Sequence, residues 1–412
     1  MRFNRQPITV EDAQRKIVPF IQPKEAEWVS LIDSEGRRLA ESIDAPHPVP
    51  NFRRSGMDGF AVCSKDTIAG QRMQLLVVEE IACGDVASKT VVQGTCSRIM
   101  TGAALPEGAD AVIKLEDTET VIDGQQTYTV IKKAVSKGEN VTERGAEIKE
   151  GTPILEVGRR VGVGEQALLA TFGFPKVRVF KQPTVAILST GSELLQVDEE
   201  LQPGKIRNSN SYMLAVQVKN AGAKVVVMDQ VPDEISVAKE KILKAFEKVD
   251  VVITTGGVSV GDYDILVDIF RNWDGEMLFN KLKMRPGSPT TVGVRNNQFL
   301  FALSGNPGAC FAGFELFVRP VLWGMQGKPD YYLPEFKAYL AVDFQNMGSF
   351  PRFVRGEVWV EDGKVYVSPI GVDQSSVVVS IKDTEVLIKI PPGKIELKSG
   401  QLVDVMKLNV HE

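Results

Sequence analysis

The sequence predicts a multidomain α/β protein centred on a doubly wound α/β/α sandwich, with β-rich segments on either side. Three observations predict it. First, three apolar runs each open into a glycine turn with polar side chains: TVAILSTGSELL at 184–195, VVITTGGVSVGDYD at 251–264 and FLFALSGNPGA at 299–309. Uninterrupted apolar strands belong to parallel sheets covered on both faces, whose carboxyl edge is where such sheets take ligands. Second, residues 179–326 alternate strand and helix patterns. Third, 53–140 and 328–412 consist of short runs rich in β-branched residues, separated by Gly/Asp turns.

Residues 1–45 read as helix, turn and helix. Thr9 is placed to cap a helix through 10–21, and a second apolar pattern runs through Trp28, Leu31, Ile32 and Leu39. The stretch DAPHPVPNF at 44–52 reads as a proline-rich linker. Residues 53–140 predict a small β-barrel or sandwich, with a hairpin at Asp123–Gly124. The segment 141–178 holds a helix from Gly164 to Thr171, ended near Gly173, and is too short to bury a core alone. It is therefore expected to pack with 1–45 as one discontinuous domain, 46–140 being an inserted β domain.

The sandwich is expected over 179–327. Its strands fall at 184–189, 224–229, 250–254 and 299–303, and its helices at about 210–221, 234–248, 262–272 and 307–323. Asn208, Ser209, Asn210 and Ser211 offer several caps for the first helix; Asn306 and Pro307 suit the start of the last. Residues 328–412 predict a C-terminal β-barrel with a hairpin at Asp362–Gly363.

Composition narrows the chemistry. The net charge of −5 gives no basic footprint for nucleic acid. No apolar run approaches a membrane span and no secretory signal is visible, so a cytoplasmic location is expected. The four cysteines include no CxxC pair. Only two histidines exist, His47 between prolines and His411 next to the last residue, which argues against a histidine metal cage or a Ser-His-Asp triad. Chemistry must then run on carboxylates, hydroxyls, Lys/Arg, backbone amides and an oxygen-ligated cation such as Mg²⁺.

Gly256 and Gly257 allow close backbone approach, and the amides that follow, past Ser259, open toward a helix start that favours an anion. Asp262 and Asp264 in that first turn can equally be helix-stabilising acids, but with Glu193 on a neighbouring strand end they form a cation site. Lys281, Lys283 and Arg285 alternate, which places them on one face of an extended run before the Pro286–Pro289 turn, an oxyanion clamp or a solvated face. Ser304, Gly305, Asn306 and Pro307 form another helix start suited to an anion. Asp58, between glycines, and Thr101 sit in polar loops of the β segment; a turn role is the simpler reading of each.

Taken together, SGMDGFAV, IMTGAALPEGADAV, STGSEL, GGVSVGDYD, MRPGSP and LSGNPGA, in that order, resemble the molybdopterin molybdotransferases, the MoeA-type enzymes related to the C-terminal domain of gephyrin. The resemblance implies an elongated homodimer of four-domain subunits. It implies a Mg²⁺-dependent reaction in which adenylylated molybdopterin and molybdate give AMP and molybdenum on the dithiolene. An upstream adenylyltransferase is an implied partner; nucleic acid and membrane are not.

By the same resemblance Glu193, Asp262 and Asp264 are the metal ligands, and Glu193, Asp264, Asp58 and Thr101 carry the reaction. Asp58 and Thr101 would come from the other subunit. Gly191, Ser192, Gly256, Gly257, Ser259, Lys283, Arg285, Ser288, Ser304, Gly305, Asn306 and Pro307 would hold substrate. In the last domain Arg352, Arg355, Ser375 and Ser376 fall where members place substrate-facing residues across the dimer, Arg355 and Ser376 foremost. This chain has Ser304 where many members have proline, and Arg285 and Ser288 where many have lysine. Three other classes stay open on the residues alone: a molybdopterin adenylyltransferase, a nucleotide pyrophosphatase or amidohydrolase sharing the sandwich, and a gephyrin-like scaffold.

Overall fold

Apolar runs buried along almost their whole length build the central sheet. The computed structural model describes residues 6–232, 234–256 and 275–408. Within it, β1 (Thr184–Thr190), α1 (Asn210–Asn220), β2 (Lys224–Val231), α2 (Ile235–Phe246), β3 (Val251–Thr255), β4 (Glu276–Phe279), β5 (Thr291–Arg295), β6 (Gln298–Leu303) and α3 (Pro307–Gly313) follow one another. The sheet order is β2-β1-β3-β6-β5-β4. The first four strands are parallel, and β5 and β4 add antiparallel. Val185, Ile187, Val251, Ile253, Phe299 and Phe301 pack on the α1 and α3 side; Ala186, Leu188, Val252, Leu300 and Ala302 pack with Ala238, Ile242 and Phe246 on the other. Helices on both faces explain why these strands carry no polar face. The expected helix at 262–272 lies outside the described residues.

The chain divides into two compact units, Met1–Glu41 with Val157–Gln166 and Pro175–Glu412, and Ser42–Glu156 with Ala167–Phe174. In the first unit, Thr9 caps the helix Val10–Ile17 by accepting the Asp12 amide at 3.0 Å, and Val10, Ala13 and Ile17 join the core beneath the sheet. The second helix expected through Trp28 and Leu39 is not formed. Ala26–Ser30 is a strand, antiparallel to Lys176–Phe180. Trp28 and Ile32 are exposed and Leu39 is fully buried, so the apparent helical spacing mixed residues with unrelated environments. A partner about 150 residues away in the chain decided the local structure, which no window on 26–40 contains.

The same unit ends in a closed barrel of Glu335–Leu340, Lys364–Pro369, Arg352–Glu361, Val386–Ile390 and Leu402–Lys407. Its predicted hairpin turns through Asp362 and Gly363 with φ of 48° and 72°, the paired left-handed conformation of a type I′ turn.

In the second unit, one six-stranded sheet replaces the expected barrel or sandwich. Its order is Ala111–Lys114, Gly59–Val62, Thr95–Ile99, Met73–Ile81, Gln126–Ile131 and Thr118–Asp123. Both faces carry small cores, one with Phe60, Leu75 and Ile113, the other with Ile81, Ile99 and Val112. The proline-rich stretch at 44–52 is not a free linker. Ile43–Asp44 pairs with Pro153–Leu155, and Val49 bonds Ile148, so backbone pairing overrides its composition.

Behind the sheet, α3 passes into a π-helical turn, Phe314–Val318, before Arg319–Met325. There Glu315, 1% exposed, accepts from Arg319 Nη2 at 2.8 Å and Gln217 Nε2 at 2.7 Å, while Arg319 lies over Phe314 and Trp323. Removing one member of a buried pair strands the other charge. Glu315→Leu is expected to cost about 3–5 kcal/mol in urea denaturation. The double change Glu315→Leu with Arg319→Met should recover most of that loss; no recovery would contradict a simple buried pair.

Candidate functional site

Three strand ends meet at the carboxyl edge of the sheet. At the end of β3, Gly256 adopts φ +90°, and a Cβ there would lie 2.1 Å from the Thr190 carbonyl oxygen at the end of β1. A Cβ on Gly305, after β6, would lie 3.3 Å from Gly256 Cα. Only glycine permits the approach at 256, and the contact at 305 is tight, so the turns after β1, β3 and β6 close into one floor. Thr255 binds it together: its hydroxyl donates to the Ser304 carbonyl at 3.1 Å and accepts from Asn210 Nδ2 at 2.9 Å. Cys310, buried in α3, donates its thiol to the same oxygen at 3.6 Å; burial pushes that thiol up to about 12. It is a protonated hydrogen-bond donor and not a thiolate ligand.

Glu193 follows at once from the β1 turn. Its carboxylate folds back over Gly191, where a Cβ would lie 2.6 Å from Oε2. The side chain is exposed, and its carboxylate has no hydrogen-bond or ion-pair partner among the described residues. The Ser192 carbonyl accepts from Lys205 Nζ. Gly257, Ser259, Asp262 and Asp264 lie outside the described residues, so the acidic set has one member in view. No group of three His, Cys, Asp or Glu occurs among the described residues. What is in view at this edge is an exposed carboxylate, carbonyls and hydroxyls, and that donor set suits a hard cation.

The cationic run behaves as its alternation predicts. Leu282 and Met284 are fully buried, while Lys283 and Arg285 are exposed. The run is held by backbone bonds from Ile8 to the Lys281 carbonyl at 3.2 Å and from Phe353 to the Arg285 carbonyl at 2.8 Å. Neither Lys283 nor Arg285 has an ion-pair partner among the described residues. Ser288 donates its hydroxyl to the Leu282 carbonyl at 2.7 Å, so it closes its own turn.

At the α3 start, Asn306 and Gly305 are exposed and Ser304 and Pro307 half-buried. The Asn306 carbonyl accepts the Ala309 and Cys310 amides, and its side chain donates to Ser375 Oγ at 3.2 Å. Arg355 is buried and donates to Ser380 Oγ at 3.1 Å and the Gln374 carbonyl at 3.2 Å. Its guanidinium sits where a Cβ on Gly308 would be, 2.0 Å from Nη1. Arg355 is thus engaged with α3 of its own chain, while Ser376 is exposed. Arg352 pairs with Asp373.

In the second unit Thr101 grips Asp58. Its amide donates to Asp58 Oδ1 at 2.6 Å and its hydroxyl to the same oxygen at 2.8 Å. The amide bond first, then the hydroxyl, hold the Asp58 carboxyl below the usual carboxylate range, with Arg98 nearby assisting. Both residues are exposed, so the Asp58 carboxylate faces solvent.

The sequence reading did not single out Asn210 and Asn208 beyond capping. Asn208 Nδ2 donates to Ser189 Oγ at 2.9 Å and its Oδ1 accepts the Ser211 amide at 3.2 Å. Asn210 Nδ2 also donates to the Gly305 carbonyl at 2.8 Å. The signal for this was the surplus of cap residues at 208–211, more than one helix start uses.

Thr101→Val keeps the amide bond and deletes the hydroxyl. Because the folded carboxyl is depressed, its favourable contribution exists above the unfolded value and is lost as pH falls through the folded one. The Asp58 carboxyl should therefore titrate at higher pH in Thr101→Val than in wild type, read by NMR. Unchanged titration would deny the hydroxyl its part.

Comparison with known proteins agrees with this layout. Residues 8–173 match the MoeA N-terminal region (domain I and II), 186–323 a "probable molybdopterin binding domain", and 337–408 the MoeA C-terminal region (domain IV). The molybdopterin molybdenumtransferase of Bacillus subtilis is 43% identical over 411 residues, 98% of this chain and 95% of that protein. That of Staphylococcus epidermidis is 41% identical over 406 residues, 98% and 96% of the two chains. The crystal structure of a molybdopterin biosynthesis MoeA protein from Pyrococcus horikoshii matches with TM-score 0.84 at 29% identity, covering 98% of this chain and 99% of that one. By its motifs, its fold and its full-length similarity, this chain belongs to the MoeA family of molybdopterin molybdenumtransferases.

Proposed function

We propose that this chain transfers molybdenum from molybdate to adenylylated molybdopterin with release of AMP, the last step of molybdenum cofactor biosynthesis. The carrying observation is the exposed Glu193 carboxylate over the Gly191 turn, without a partner among the described residues, in a chain similar along its length to molybdopterin molybdenumtransferases. The N- and C-terminal family regions around the sandwich favour this over an adenylyltransferase, a pyrophosphatase or a pure scaffold. We also propose that it acts as a cytoplasmic homodimer. No helix among the described residues is long and apolar enough to cross a membrane.

In this reading Glu193, with Asp262 and Asp264, holds Mg²⁺. That ion, when bound, neutralises charge on the pyrophosphate as the phosphoanhydride opens. The floor formed by Thr190, Gly256 and Gly305 lets substrate phosphates lie against bare main chain, with the α3 start nearby to favour negative charge. Lys283 and Arg285, exposed and without an ion-pair partner among the described residues, attract the molybdate dianion; arginine adds a two-pronged donor where many members carry lysine. Asp58, whose carboxyl Thr101 holds below the usual carboxylate range, is a further acid that the family resemblance assigns to the reaction from the other subunit.

Glu193→Gln preserves size and removes the charge. With adenylylated molybdopterin, Mg²⁺ and molybdate, AMP release should fall at least about 100-fold, as expected from losing several kcal/mol of charge stabilisation, while the melting temperature stays near wild type. AMP release at the wild-type rate would remove Glu193 from the mechanism.

A further inference from the structure

The residues 208–211 start α1, and Asn208 caps it, its Oδ1 accepting the Ser211 amide at 3.2 Å. Ser209 occupies the cap position and makes no side-chain cap bond. The Asn210 side chain instead reaches across the sheet edge, donating to Thr255 Oγ1 at 2.9 Å and to the Gly305 carbonyl at 2.8 Å. These acceptors belong to two different strand-end turns, those after β3 and β6. The amide orientation is fixed by chemistry: the Gly305 carbonyl can only accept, and the Thr255 hydroxyl already donates its proton to the Ser304 carbonyl. Nδ2 must therefore face both turns. Its companion Oδ1 is buried and has no hydrogen-bond partner among the described residues. A buried orphan acceptor costs free energy. The sequence keeps it in a side chain that is 8% exposed, where an apolar residue would avoid that cost but could not donate twice.

From this geometry we propose that Asn210 is a positioning residue that sets the spacing between the Thr255–Gly256 and Ser304–Gly305 turns, and hence the width of the substrate floor. Asn208 extends the clamp to β1 through Ser189. One helix start thus ties the ends of all three glycine-turn strands, and acts on substrate only through them. The inference rests on the function proposed above for this edge.

The test compares Asn210→Ala and Asn210→Asp in the full chain. Hydrogen exchange comes first, without substrate: in Asn210→Ala, amides in peptides covering 251–256 and 299–306 should exchange roughly tenfold faster, while those of the C-terminal barrel do not change. In the AMP-release assay, Asn210→Ala should raise the KM for adenylylated molybdopterin by about tenfold at every pH. Asn210→Asp should be worse than Ala at pH 8, where a carboxylate faces the Gly305 carbonyl, and should recover as the pH falls toward 6 and its protonated form can donate. Unchanged exchange at both turns would overturn the clamp. So would an Asn210→Asp profile parallel to wild type, or a fall in melting temperature with wild-type KM. Inactive wild-type protein would instead overturn the proposed function and leave the exchange result to judge the clamp.

Discussion

The floor at the sheet edge depends on one close approach, the main chain at Gly256 lying against the Thr190 carbonyl, nearer than any Cβ allows. That contact sets the β1 and β3 ends side by side with bare peptide groups uppermost. Thr255 then spans to Ser304, so the third strand end is held by the same oxygen that Asn210 and Cys310 approach. The apolar runs beneath have no freedom to adjust. Their side chains fill both faces of the sheet, and packed interiors shift in discrete steps.

Charge is distributed in a way that fits this floor. Elsewhere in the described structure, acids and bases are commonly paired, as in Arg37–Glu27, Arg159–Glu165 and the buried Glu315–Arg319. Glu193 and, before the Pro286–Pro289 turn, Lys283 and Arg285 have no ion-pair partner among the described residues. Surface pairs contribute little stability, so leaving these groups unpaired costs the fold little. Asp58 is the contrasting case, its charge stabilised by Thr101 and still exposed.

Much of this was legible in the chain, for physical reasons. The four parallel strands of the sandwich were readable to within a residue or two, the central three because burial on both faces leaves uninterrupted apolar runs, and the turn at Gly256 because only glycine fits there; the antiparallel strands Glu276–Phe279 and Thr291–Arg295 were not read as strands. The alternation at 281–285 was legible for the same reason that strands are. Segments whose structure is set by remote partners were not. Ala26–Ser30 pairs with 176–180, and the proline-rich 44–52 zips to residues near 150. Within the site, Glu193 could be picked out by its place after a strand-end glycine. Asn210 could not, since its role needs two turns that lie about 45 and 95 residues further along the chain. Arg355 looked like a group free for substrate, whereas burial against Gly308 commits it to its own chain.

The central claim is that the Glu193 carboxylate and the glycine floor beside it form a cation-dependent phosphate site. Anomalous diffraction from crystals soaked with Mn²⁺ and AMP tests it most directly. The account predicts a metal peak within about 2.2 Å of a Glu193 carboxylate oxygen, with the AMP phosphate against the Gly256 and Gly305 turns. Metal and phosphate bound away from Glu193, with these turns vacant, would contradict it.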